Sequence, residues 1–167
     1  MHRLNRVSSA GIVLGIGLGG FVDGIVLHMI LQWHHMLSHV LPPDSPSNLY
    51  VNMVWDGYFH AGALLITLVG IFMLWGATRS HALGTIIPST RSFIGALIAG
   101  WGLFNLIEGI IDHHLLVLHN VREVSNPAPW NIGFLVIGGW LFLVVGWVLM
   151  RAPKQQLVTV TEHSRVR

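Results

Sequence analysis

The stretch FVDGIVLHMILQWHH, residues 21–35, sets an aspartate and three histidines into a run otherwise as apolar as a membrane helix. A carboxylate at bilayer depth is costly and needs a partner. Of the 167 residues, 53% are hydrophobic and 10% are charged, and the mean hydropathy is +0.64. A soluble domain carries about 25% charged residues. This chain cannot clothe a water-facing surface, so the composition predicts an integral membrane protein. There is no cysteine, which excludes disulfides, thiolate metal sites and cysteine nucleophiles. Nine Lys and Arg against seven Asp and Glu is a small surplus that offers no nucleic-acid surface.

Four apolar stretches reach the roughly 20 residues that a spanning helix needs. They run from about 9 to 33, 55 to 75, 93 to 118 and 131 to 150. The expected fold is all-α, a transmembrane four-helix bundle filling residues 1–152, followed by a polar cytoplasmic tail over 153–167. The first stretch starts after Arg3 and Arg6 like a signal peptide. Its apolar run is too long and lacks a small-residue cleavage site, so it is read as a retained helix. Arg3, Arg6, Arg79, Arg91, Arg151, Lys154, Arg165 and Arg167 all flank one set of helix ends; only Arg122 lies at the other. The positive-inside rule then places both termini in the cytoplasm and the connections 36–54 and 119–130 outside. Trp33, Trp55 and Trp130 fall at that outer boundary, as interfacial aromatics do.

The opening stretch has an echo. Shifted by 85 positions, Asp23 falls on Glu108, Gly24 on Gly109, His28 on His113 and His34 on His119. VDGIVLHMILQWH (22–34) and IEGIIDHHLLVLH (107–119) share the order acid, Gly, Ile, His, His at one spacing. Helices 2 and 4 match more weakly, through Trp55-Asp56 and Trp130-Asn131. Both halves start on the same side, so the expectation is two parallel two-helix repeats about an axis along the membrane normal. Helices 1 and 3 then face each other, with Gly11, Gly15 and Gly19 against Ala96 and Gly100 as small residues for close approach.

Eleven histidines are present. Eight of them, His28, His34, His35, His39, His60, His113, His114 and His119, fall in the expected outer half, with Asp23, Asp56, Glu108 and Asp112 beside or just below them. No Lys or Arg lies at that depth to neutralise the acids. A metal ion satisfies several carboxylates and imidazoles together. By helical rise, His28, His60 and His113 lie roughly 8–10 Å below the surface on three helices. The expected ligand set centres on His28, His60, His113, Asp56 and Asp112. Asp23 and Glu108 stand deeper, as ligands from below or as orienting partners, and His34, His119, His114 and His35 stand above. One constraint opposes a single focus. On an ideal α-helix His28 lies about 140° from Asp23 at about 100° per residue, and His113 lies so from Glu108. Either those histidines turn towards helices 2 and 4, which is the preferred reading, or the helices bend near Gly24 and Gly109.

The stretches GGFVDGIVLHMILQWHHMLS, VNMVWDGYFHAGAL and NLIEGIIDHHLLVLHNVRE resemble a bacterial family of uncharacterised four-span membrane proteins, a named domain of unknown function. The resemblance runs from about Gly11 to Met150 and implies a bacterial inner-membrane location. Its members are in part encoded with, or fused to, an assembly factor of caa3-type cytochrome oxidase, which implies a respiratory-complex partner.

Three functions follow as expectations. The first is a membrane metalloprotein with one or two transition metal ions, Fe, Cu or Zn not distinguished, performing redox or oxygen-linked chemistry as a metal-dependent oxidoreductase. The second is a copper-binding assembly or delivery protein for a respiratory oxidase, to which Met29, Met36 and Met53 would add thioether ligands. The third and least favoured is a proton or metal-ion transporter, because the inner halves of the helices offer little beyond Thr67. Haem held by paired histidines is a weaker cofactor alternative, given the carboxylates at the same level. The lipid bilayer is the expected partner, with a homo-oligomer as a further one.

Overall fold

The computed structural model describes residues 6–79 and 89–151. These form four helices long and apolar enough to cross a membrane: α1 (Arg6–Ile30), α2 (Pro46–Arg79), α3 (Thr90–Leu115) and α4 (Ala128–Met150). Among the described residues there is no strand. In lipid every backbone group must be satisfied within its own segment, which leaves helix as the available form for such sequences. The tail 153–167, the loop around His81 and the first five residues lie outside the described residues.

Local sequence explains the helix ends. Ser89 caps α3, its hydroxyl accepting from the Ser92 N–H at 3.2 Å, as N-cap serines do. α2 begins nine residues before Trp55, where hydropathy alone would place its start. Pro46 supplies the fixed φ suited to a first helical turn. Asn52 is fully buried in that added part, and ties the helix to the preceding connection. Its Oδ1 accepts from the Leu37 N–H at 3.0 Å, and its Nδ2 donates to the Leu41 carbonyl at 2.8 Å.

α1 packs against α2 and α3, and α3 packs against α4. Half of the most apolar window of α1 and of α3 is buried, against 17% for α2 and 11% for α4. α1 and α3 are thus the central pair. α2 and α4 flank them and present large apolar side chains such as Phe72, Leu65 and Trp140 outward, which suits a lipid surround. The central pair meets backbone to backbone. A Cβ added at Gly15 would collide with the Leu97 carbonyl, and one added at Gly100 with the Ile12 carbonyl. These contacts are reciprocal, since Ile12 and Leu97, like Gly15 and Gly100, stand 85 positions apart. Small residues at this spacing let membrane helices gain dispersion energy over a long seam.

α1 and α3 do not stay α-helical to their ends. Asp23–Ile30 of α1 and Ile111–Leu115 of α3 are π-helical, as is Phe134–Leu141 within α4. Leu31 N–H bonds the Val26 carbonyl and Leu116 N–H the Ile111 carbonyl, both at 2.8 Å. Each helix then stops on a left-handed residue, Gln32 and Val117, both with φ 49°. For branched Val117 that conformation is strained. The same unusual ending at positions 85 apart fixes how the connections 31–45 and 116–127 leave the bundle. They cross-link over its end: Glu123 N–H bonds the Trp33 carbonyl and His39 N–H the Leu118 carbonyl, each at 3.0 Å.

The seam can be tested at single glycines. Gly15→Ala and Gly100→Ala each force a methyl onto a carbonyl and should destabilise by about 1–3 kcal/mol. Gly62, with nothing within 4 Å of an added Cβ, is the control; Gly62→Ala should be neutral or stabilising by up to about 1 kcal/mol. Thermal unfolding in detergent followed by tryptophan fluorescence reads both. Equal melting shifts at Gly62 and Gly15 would show that the crossing is not limiting.

Candidate metal centre

The π-turns answer the geometric conflict in the sequence. A π-helix bonds residue i to i+5, so the side chain at i+5 comes over that at i. Asp23 and His28 are such a pair within Asp23–Ile30, while Glu108 stands in the last α-turn and His113 in the π-segment that follows it. His28 Nε2 stands 3.1 Å from Asp23 Oδ2, and His113 Nε2 stands 3.9 Å from Glu108 Oε1. His34 and His119 follow after the helix ends and fold back onto the same acids, His34 Nε2 at 3.8 Å from Asp23 Oδ2 and His119 Nε2 at 3.6 Å from Glu108 Oε1. No choice between turning outward and facing the acid is needed. His28 meets Asp23 on its own helix and Asp56 on α2 at once, while His113 meets Glu108 and packs against Phe134 of α4, ring centroids 5.3 Å apart.

All six side chains are at most 4% exposed. Ring packing draws the two sets together. His34 and His119 stack with centroids 4.5 Å apart and planes 8° from parallel. His28 lies edge-on to His34 at 4.4 Å, and His113 edge-on to His119 at 4.8 Å. One ligand atom each from His28, His34, Glu108 and His119 falls within 4.8 Å of the others, a group that could hold a metal ion. An ion with bonds of about 2.0–2.1 Å holds its ligand atoms no more than about 4.2 Å apart, so the group would draw in by a fraction of an ångström to close on one.

Each ring is held from behind. His34 Nδ1–H donates to the Val121 carbonyl at 2.8 Å, and His119 Nδ1–H to the Met36 carbonyl at 3.1 Å. Met36 and Val121 again stand 85 positions apart. His28 Nδ1–H donates to Asp56 Oδ1 at 2.8 Å. An imidazole that donates through Nδ1 keeps its lone pair on Nε2, the arrangement of a metal-ligating histidine with its orienting partner. The Nε2 atoms of His28, His34 and His119 are buried without a hydrogen bond, as are both oxygens of Asp23 and Glu108 and both ring nitrogens of His113. Burial, reinforced by the His34, His113 and His28 rings, holds the His119 imidazole well below its ordinary range. It is therefore neutral, with a lone pair to give.

The remaining expected residues sit around this core. Asp56 has both oxygens engaged: Oδ1 also accepts from the Met36 N–H at 2.8 Å, and Oδ2 from His35 Nδ1–H at 2.7 Å. That makes it an orienting group for His28 and His35. His60 donates through Nδ1 to the Asp56 carbonyl at 2.7 Å. Its buried, unbonded Nε2 lies over Gly24, where an added Cβ would stand 2.6 Å from it. His114 is exposed and donates to the Gly109 carbonyl at 2.6 Å, and Asp112 is half-exposed; both stand outside the four-residue group. Met29 and Met53 are 54% and 60% exposed and point no thioether into the cluster. Above it, Arg122 lies over the rings of Trp33 and Trp130 at 5.2 and 4.9 Å, a cation–π lid.

Sequence reasoning missed the asparagines. Asn131 Oδ1 accepts from the Val121 N–H at 2.9 Å, as Asp56 does from Met36, and its Nδ2 donates to Asn120 Oδ1 at 2.9 Å. Asn120 stands 85 positions after His35, so Asn131 and Asn120 occupy the places of Asp56 and His35. The alignment of Trp130-Asn131 on Trp55-Asp56 carried that signal; the carbonyls of Met36 and Val121 carry none.

No match was found among curated proteins or among solved structures. A family model described as predicted membrane protein (DUF2243) matches residues 10–153, a span that holds all four helices apart from the first turn of α1 and every residue of the cluster. The chain belongs to the DUF2243 family of predicted membrane proteins.

Proposed function

We propose that this chain is an integral membrane metalloprotein whose resident transition metal lies in the outward half of the bundle and serves redox or oxygen-linked chemistry. One observation carries the reading. Three imidazole Nε2 atoms and two carboxylates converge in a buried space with no hydrogen bond to any of them. In an apolar surround each such group costs about 1–3 kcal/mol, and a bare carboxylate far more. A cation removes that cost at a stroke.

The donor chemistry narrows the ion. Nitrogen and oxygen donors without sulfur suit iron, zinc, manganese or copper(II) rather than copper(I). Two histidines and one carboxylate from each half is the donor pattern of non-haem iron centres, so iron is favoured. Copper delivery fits less well, because Met29 and Met53 are exposed away from the cluster and full burial of the histidines opposes exchange. Rings packed 4.4–6.2 Å apart leave no slot for a haem macrocycle. Transport is disfavoured by the seam below the cluster, where Gly15 and Gly100 bring the two backbones into contact. The exposed apolar faces of α2 and α4 meet lipid, and a second copy or a respiratory-complex subunit would pack there.

Elemental analysis of protein purified without added metal tests this directly. Wild type should carry stoichiometric transition metal, His119→Ala should lose most of it, and Asp112→Asn should retain it. Metal-free wild type sinks the reading, and zinc alone removes its redox part. Met29→Leu and Met53→Leu should leave the metal content unchanged; a drop in either would return the thioethers, and copper, to the site.

A further inference from the structure

We propose that the cluster holds two ions, one in the set Asp23, His28 and His34 and one in the set Glu108, His113 and His119, and that the second ion is the more weakly held and binds small exogenous anions. This rests on the metal reading above and extends it to nuclearity and division of labour.

A single ion in the group His28, His34, Glu108 and His119 leaves two residues stranded. Asp23 keeps two unpartnered oxygens, and His113 keeps two unpartnered nitrogens, at 4% and 3% exposure. Asp23 adjoins His28 and His34, whereas His113 adjoins Glu108 and His119, so they lie on different sides of that group. With one ion per set, none of the six is left unpaired. Within each set the ligand atoms stand 3.1–3.9 Å apart along the acid–histidine edges, the spacing of ligands on a shared ion with bonds of about 2.0–2.1 Å. Charge agrees. Asp23, Glu108, Asp56 and the half-exposed Asp112 bring four negative charges, which two divalent ions balance. Three protein donors per ion also leave coordination positions open.

The two sets have unlike surroundings. Asp56 locks His28 through Nδ1, and His35 and His60 are gathered on the same carboxylate and carbonyl. At the matching places of the other half stand neutral Asn131 and Asn120, and Leu135 lies over Gly109 where His60 lies over Gly24. His113 has no hydrogen bond on either nitrogen. Loss of an orienting carboxylate behind a ligating histidine typically weakens metal binding about 10–100-fold. The ion of the second set is therefore the more weakly held one, and no further imidazole stands by to take its open position, since Leu135 lies where the first half has His60; an added anion binds there.

Chelator-stripped protein in detergent, titrated with Co2+ alone and followed by visible absorption, tests the inference. The expected result is two ions per chain in two phases, the second roughly 10–100-fold weaker, with azide shifting only the bands of the second phase. Glu108→Gln should abolish the second phase and spare the first. Asp56→Asn should weaken the first phase and narrow the gap; should it fail to fold, His113→Ala, which removes only the second phase, takes its place. One ion per chain, lost alike in Asp23→Asn and Glu108→Gln, overturns the two-ion inference while the metal reading stands. Two ions of equal affinity, or azide acting on the first phase, overturns the division of labour. No bound Co2+ overturns both.

Discussion

The structure turns on a solvation problem. Four imidazoles and two carboxylates lie buried with ligand atoms that have no hydrogen-bond partner among the described residues, and those of His28, His34, Glu108 and His119 converge. Groups in that position must be satisfied from inside the fold. The backbone does half of this work. Carbonyls of Met36 and Val121 and the carboxylate of Asp56 take the Nδ1 protons of His119, His34 and His28. Every one of those bonds leaves Nε2 facing inward, so the rings are oriented for an ion before any ion arrives. Such preorganisation is costly unless a ligand repays it, and this is what supports the proposed metal over packing alone.

The helix distortions belong to the same logic. A regular α-helix spreads Asp23 and His28 over different faces. One π-turn realigns them, at the expense of regular hydrogen bonding and a left-handed residue at the helix end. Distortion of this kind, repeated at positions 85 apart with the same φ of 49°, is what a site demands and a mere membrane anchor does not. The glycine seam supports it from below. Because Gly15 and Gly100 lock the two helices against each other's carbonyls, the acids about two turns further along are held in a fixed mutual position.

Much of this was written in the sequence, and the part that was not has physical causes. Asp23, His28 and His34 could be paired with Glu108, His113 and His119 because acid and histidine are rare in apolar helices, so a repeated spacing stands out. Hydropathy gave four spans but placed the start of α2 at Trp55, since Asn48 and Asn52 read as loop residues until their hydrogen bonds to the preceding connection are seen. Depth counting drew His60, Asp56 and Asp112 towards the centre. It assumed about 1.5 Å and 100° per residue throughout, which holds along α2 but not in the π-segments that carry His28, Asp112 and His113. Backbone carbonyls, which orient two of the rings, have no sequence signature at all.

The difference between the halves is the less obvious lesson. Had the repeat been perfect, an aspartate would stand at Asn131 and a histidine at Leu135 and Asn120. The chain keeps the inner acid–histidine sets alike and changes what lies behind them. Ligand identity sets which ions can bind, whereas the groups behind the ligands set basicity, exchange and potential. A centre with matched ligands and unmatched supports can hold two similar ions in dissimilar states. The asymmetry sits on α2 and α4, the helices that bury least and face the surroundings most.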